Sequence, residues 1–217
     1  GYESYKKRLA DKFGKNFTPK LQLVAHFIKQ KDKNPTDRQI RHRELRKSIR
    51  RKGHALYLMM LYASYKKIKE CEVVGIDAAA NEMDAGPEVF APTFHWLRKK
   101  WRKRKKDIQM TFHAGEDFVH LLSGLRMMVE AVDFLDMKQG DRIGHGTAAG
   151  IEPSLWMNRM GKTVKMRKGE WLDDLIVAYH LISGNENKYD DLIHLLPKLH
   201  NLIVDLGCMK GIIPRPE

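Results

Sequence analysis

The sequence predicts an α/β chain built around a parallel sheet. Short apolar runs alternate with longer amphipathic stretches, the rhythm of strands joined by crossover helices. Four of the short runs stop beside a distinctive polar residue or loop, among them Asp77, His113 and His145. The chain has 217 residues, 42% of them hydrophobic, which is enough for one domain with a real core.

Leu21 to Ile28 follows Pro19 and reads as a buried strand. The polar stretch 30–42 contains Asn34-Pro35-Thr36-Asp37, a loop signal. A long helix is expected over about 42–69, because Leu45, Ile49, Leu56, Met59, Met60 and Ala63 recur at helical spacing. Glu72 to Asp77 is a short β-branched strand that ends in a carboxylate. Residues 78–92, with Gly86-Pro87 and Ala91-Pro92, read as a loop, after which Thr93 caps a helix running to about Lys105. Ile108 to Phe112 is a third strand, running into His113. A strong helix spans Asp117 to Met137, and Arg142 to Gly146 is a short fourth strand entering a loop. Beyond it the rhythm changes. Trp171 to Ile182 and Asp190 to Leu202 read as helical, with Asn201 to Leu206 turning extended.

Charge bears on partners. Lys and Arg outnumber Asp and Glu by 40 to 27, a net +13, which favours phosphates in nucleotides, nucleic acid or an acidic partner. The densest run, Arg98 to Lys106, carries eight cations around Trp101. It reads as the solvated face of an outer helix slightly ahead of a phosphate- or RNA-binding patch. No apolar run approaches the roughly 20 residues of a membrane span, and no signal peptide opens the chain. Cys71 and Cys208 are expected to be reduced thiols in a cytoplasmic protein. Both ends of the chain read as cuts, so it is expected to be part of a longer protein.

Chemistry concentrates in TFHAGED, residues 111–117. A histidine at a strand tip can bind a metal, and a glutamate three residues on can act as acid or base in the same pocket. Ala114 and Gly115 leave room for a flat ligand to approach the backbone. A second histidine between glycines, Gly144-His145-Gly146, adds a base from the next strand. Together these residues suit a metal-activated water attacking a planar ring. Asp77 reads equally as a substrate-side group or a cap. His26, His42, His54, His95 and His120 read as surface or packing residues. The Met59-Met60 and Met127-Met128 pairs read as core packing.

TFHAGED resembles the His-Ala-Gly-Glu signature of the adenosine deaminase family. DRIGHG at 141–146 is similar to that family's second signature, and EVVGIDAAANE at 72–82 to its intervening strand and loop. Motif order and spacing also fit, over roughly residues 17–150. The resemblance implies a partial TIM-type (β/α)8 barrel, with residues 1–150 its central part and 151–217 a helical insertion or extension. It implies one zinc per chain of the full-length protein and hydrolytic deamination at purine C6. His113 would be a zinc ligand, Glu116 the proton donor to purine N1, and His145 the residue that orients or deprotonates the water. Gly115, Ala80 and Asp77 would lie on the substrate side. Ala80 stands where the family has a glycine, and Asn81 where it has an aspartate.

The family also needs a His-x-His pair and an Asp-Asp pair for its remaining ligands. No His-x-His occurs, and Asp173-Asp174 and Asp190-Asp191 sit in helical context. A tetrahedral site needs at least three protein ligands, so this chain alone is expected to be inactive. The stretch 115–151, with RKGEWLDDLIVAYHLI after it, is also similar to the large deaminase subunit of a bacterial antiphage system, RADAR, which works with an ATPase. That resemblance implies a homo-oligomer, an ATPase partner, and adenosine, ATP or RNA as substrate. The competing reading is a degenerate barrel serving as an oligomeric or RNA-binding scaffold. Cytidine-type zinc deaminases need Pro-Cys-x-x-Cys, which isolated Cys71 and Cys208 cannot provide.

Overall fold

A computed structural model describes residues 2–14, 21–33, 41–68, 71–104, 107–161, 163–185 and 188–209. Four strands form one sheet: β1 (Leu21–Ile28), β2 (Cys71–Ala79), β3 (Gln109–Ala114) and β4 (Arg142–His145). Their spatial order is β1-β2-β3-β4, and the β1/β2 and β2/β3 ladders are parallel. The helices are α1 (Tyr2–Phe13), α2 (Arg43–Tyr65), α3 (Pro87–Arg102), α4 (Leu121–Phe134), α5 (Pro153–Arg159), α6 (Lys168–Ser183) and α7 (Leu196–Met209). A sheet that advances one strand at a time, with a helix at each crossover and no reversal of order, is the progression of a (β/α) barrel. The chain is a partial TIM-type barrel followed by helices. None of its described helices is long and apolar enough to cross a membrane.

Two compact units divide the chain: residues 1–113 with 131–144, and residues 114–130 with 145–217. The first unit holds the sheet's core. Ile76 and Ala78 of β2, Met110 and Phe112 of β3, and Phe90, Phe94 and Leu97 of α3 are all buried. Phe94 meets Phe27 and Phe90 edge-on, and Phe90 meets Phe112 in the same way. In the second unit, the buried carboxylate of Asp174 on α6 accepts hydrogen bonds from Ser123 Oγ and Arg126 Nε of α4, each at 2.6 Å. Burial works against the Arg126 charge, but Glu130 and Asp174 outweigh it and hold its pKa above the ordinary arginine value.

Several sequence expectations change. β1 is not buried: Leu21, Leu23, Val24 and Ile28 are exposed and only Phe27 is covered, as suits a strand at the sheet edge. Met59, read as core, is 62% exposed. Helix α3 begins at Pro87 rather than after Thr93, so the expected loop is two turns shorter. Pro87 takes a first-turn position that needs no N–H. Pro92 cannot donate to the Glu88 carbonyl four residues back, and Arg46 Nη1 of α2 supplies that bond at 2.7 Å. Asn201 to Leu206 is helical rather than extended, within α7. The loop signal at 34–37 lies outside the described residues, and Cys71 is a free thiol, as expected.

Candidate active site

The first unit presents the C-terminal tip of β3. His26 pairs with Asp77 in the β1/β2 register, and Asp77 pairs with Thr111 in β2/β3. Side chains alternate along a strand, so His113 shares the face of Thr111 and reaches back to Asp77. The Asp77 carboxylate, 2% exposed, is hydrogen-bonded through Oδ1 to His113 Nδ1 at 3.1 Å, while His26 Nδ1 stands 2.7 Å from Oδ2 without hydrogen-bond geometry. His113 Nδ1 is also 3.3 Å from the Ala78 carbonyl. Both contacts of Nδ1 are to acceptor oxygens, so Nδ1 is the nitrogen that donates. The imidazole lies flat against β4. A Cβ built on Gly144 would stand 2.6 Å from His113 Cδ2, so only glycine fits there.

The second unit carries the turn after β3 and the turn after β4, which are stitched together. Gly146 N donates to Ala114 O at 3.1 Å and Ala148 N to Gly115 O at 2.8 Å, while Thr147 Oγ1 donates to the same Gly115 carbonyl at 2.6 Å. Glu116 Oε2 and His145 Nδ1 are 2.9 Å apart, both about half exposed. Gly115 has φ +89, and a Cβ there would press within 2.8 Å of Met128 Sδ. His145, a non-glycine residue, holds φ +61. Strain of that kind persists only where the surroundings enforce it, and it clusters at functional sites.

A family model described as adenosine deaminase matches residues 19–165. The chain belongs to the adenosine deaminase family. A solved adenine deaminase from Arthrobacter aurescens is similar at 18% identity and a TM-score of 0.38, over 72% of this chain and 35% of that one. The chain thus spans about a third of that enzyme's length. A search of the curated proteins gave no match.

For an adenosine deaminase family chain, the donor set at β3 fits a metal ligand. Metal-binding histidines usually donate their second ring N–H to a carboxylate or carbonyl, which fixes tautomer and orientation, and His113 has both kinds of acceptor. The other site residues expected from sequence are placed as follows. Ala80 follows β2 with φ +91, a backbone angle that favours glycine and accounts for the glycine in the family pattern. Asn81 caps a short turn, its side chain accepting from Met83 N at 2.9 Å, and Glu82 beside it is buried. Asp77 lies within β2, with Oδ1 hydrogen-bonded to His113 Nδ1. The Asp-Asp pairs lie in helical segments, Asp173-Asp174 in α6 and Asp190-Asp191 in a 3-10 turn.

Sequence reading passed over three residues. His26, read as a surface or packing residue, is exposed as expected, yet its Nδ1 stands 2.7 Å from the Asp77 carboxylate, and the strand register that pairs them is the only sign of it. Lys29 stands one residue past β1 with its side chain buried, a lysine closing an apolar run. Asp141, which opens DRIGHG, accepts from Arg98, from Met110 N and from Lys138 N. Arg98 is therefore buried and structural, not part of a uniformly solvated basic face.

Proposed function

We propose that this chain contributes part of the active site of a zinc-dependent deaminase acting on the adenine of adenosine, ATP or RNA. In that reaction water adds at C6, a proton reaches N1, the bond from C6 to the exocyclic nitrogen breaks, and ammonia leaves. The stitched turns, with Glu116 and His145 at 2.9 Å, support this reading best. They bring an acid and a base of the two family motifs within proton-transfer distance.

His113 would hold the metal through Nε2, with Asp77 fixing the ring. Zinc, when bound, supplies the Lewis acidity that makes water nucleophilic at neutral pH. Glu116 delivers the proton to N1, and His145 orients the attacking water and takes its proton. Gly115, without a Cβ, lets the purine approach the backbone, and the Ala80 N–H addresses its edge. The remaining ligands come from residues outside this chain. Residues 1–150 carry the chemistry, and 151–217 are a helical extension. The similarity of residues 115–151 to the RADAR deaminase subunit supports a cytoplasmic homo-oligomer that works with an ATPase in antiphage defence.

The test is a deamination assay of the complete natural protein against adenosine, ATP and RNA, with bound metal quantified. Ammonia release from one of them, with one zinc per chain, is the expected result. A zinc-loaded protein that leaves all three unchanged would overturn the reading in favour of a scaffold.

A further inference from the structure

We infer that Lys29 is a positioning residue for the deamination proposed above, acting through the main chain of His113. The inference rests on that reaction and assigns it a residue that neither sequence motif contains.

Lys29 is the first residue beyond β1, and its backbone N–H donates to the Ala79 carbonyl at 2.8 Å, which locks its Cα to the end of β2. From there the side chain is 2% exposed, among the largest fully buried side chains of the chain. Taking an ammonium out of water is costly unless strong partners receive it. Two of those partners belong to the end of β3. Nζ donates to the His113 carbonyl oxygen, and it stands 4.0 Å from the centroid of the Phe112 ring. A cation over an aromatic face, in a site from which water is excluded, is held firmly.

The consequence follows from which atom is gripped. The His113 carbonyl belongs to the peptide that leads into Ala114, Gly115 and Glu116. Fixing it holds the main chain of His113 itself in place. Asp77 holds the imidazole of the same residue from the side-chain end. His113 is thus clamped twice, by a carboxylate on its ring and by an ammonium on its carbonyl. A loose peptide at this point would let the ring nitrogen drift, and misplacement of about 1 Å costs roughly a hundredfold in rate.

A merely structural role predicts something different. An apolar group of similar length refills the space and removes the cost of burying the charge. If Lys29 only fills space, Lys29→Met should leave both fold and chemistry alone. If it positions His113, the same variant should keep the fold and lose chemistry.

The experiment uses the complete natural protein carrying Lys29→Met or Lys29→Arg, with three readouts: melting temperature, kcat and KM for deamination, and zinc retention against a graded chelator. Lys29→Met is expected to melt within a few degrees of wild type. Its kcat should fall about tenfold or more with KM little changed, and it should release zinc at about tenfold less chelator. Lys29→Arg, which keeps a charged donor, should recover part of both losses. Wild-type kcat and zinc retention in Lys29→Met would overturn the inference. So would a Lys29→Met chain that does not fold, or a loss that follows a lowered melting temperature and is not relieved by arginine. If wild type itself proved inactive on every purine, the proposed reaction would fall, and the zinc readout would still decide the role of Lys29.

Discussion

Two carboxylates of the first unit have equal burial and unlike partners. Asp141 and Asp77 each have side chains 2% exposed. Asp141, at the start of β4, is surrounded by donors that never change: the Arg98 guanidinium and the backbone N–H groups of Met110 and Lys138, each of the latter at 2.7 Å. Asp77, towards the end of β2, lies between the imidazoles of His26 and His113 and is hydrogen-bonded to His113 Nδ1. On the proposed reading, partner type rather than depth separates a residue that secures the fold from one that orients a metal ligand. The placement agrees with the barrel rule that function gathers at the C-terminal ends of strands.

The largest effect on stability should come from Asp141→Ala. It leaves a buried guanidinium and two N–H groups without their acceptor, so a loss of about 3–5 kcal/mol is expected in denaturant unfolding. A loss below 1 kcal/mol would mean that the Arg98 pair is not what fixes β4. Asp77→Asn should separate the two roles. The isosteric amide should change stability much less than Asp141→Ala does, yet weaken zinc affinity about 10–100-fold in chelator titration. Equal damage to stability from both variants would erase the distinction.

Gly144→Ala comes next. Its Cβ would force the His113 ring aside by the better part of an ångström or bend β4, so overpacking should cost about 1–3 kcal/mol and lower kcat. Unchanged kinetics would show that His113 need not lie against β4. The smallest effect, and the only gain, is expected from Ala80→Gly. Relief of φ +91 should raise stability by about 1 kcal/mol in thermal melts.

The same contrast explains how much was legible in the sequence. Strands β2, β3 and β4 announce themselves by short apolar runs with polar tips, and His113, Glu116 and His145 by motif spacing. What stayed hidden depends on register or on distant partners. The early start of α3 is concealed by Pro92, whose missing donor is replaced by Arg46, 42 residues away from the Glu88 carbonyl it satisfies. The lysine closing β1 looks like a strand-end charge until the fold turns it under the β3 tip. His26 is a surface residue, and nothing local tells that parallel pairing sets it beside Asp77. Helix α1 is too polar overall, and α5 at seven residues too short, to be noticed. In the second unit, Asp174 is recognisable as a helical residue, but its bond to Arg126 spans 48 positions that no local pattern connects.

Glu116→Gln in the complete, zinc-loaded protein tests the central claim most directly. Glu116 is half exposed, so the amide should leave the melting temperature unchanged. Removing the proton donor should lower kcat for adenine deamination about 10²–10⁴-fold. Deamination at the wild-type rate would contradict the assignment of the acid and, with it, the reading of TFHAGED as the chemical core of this chain.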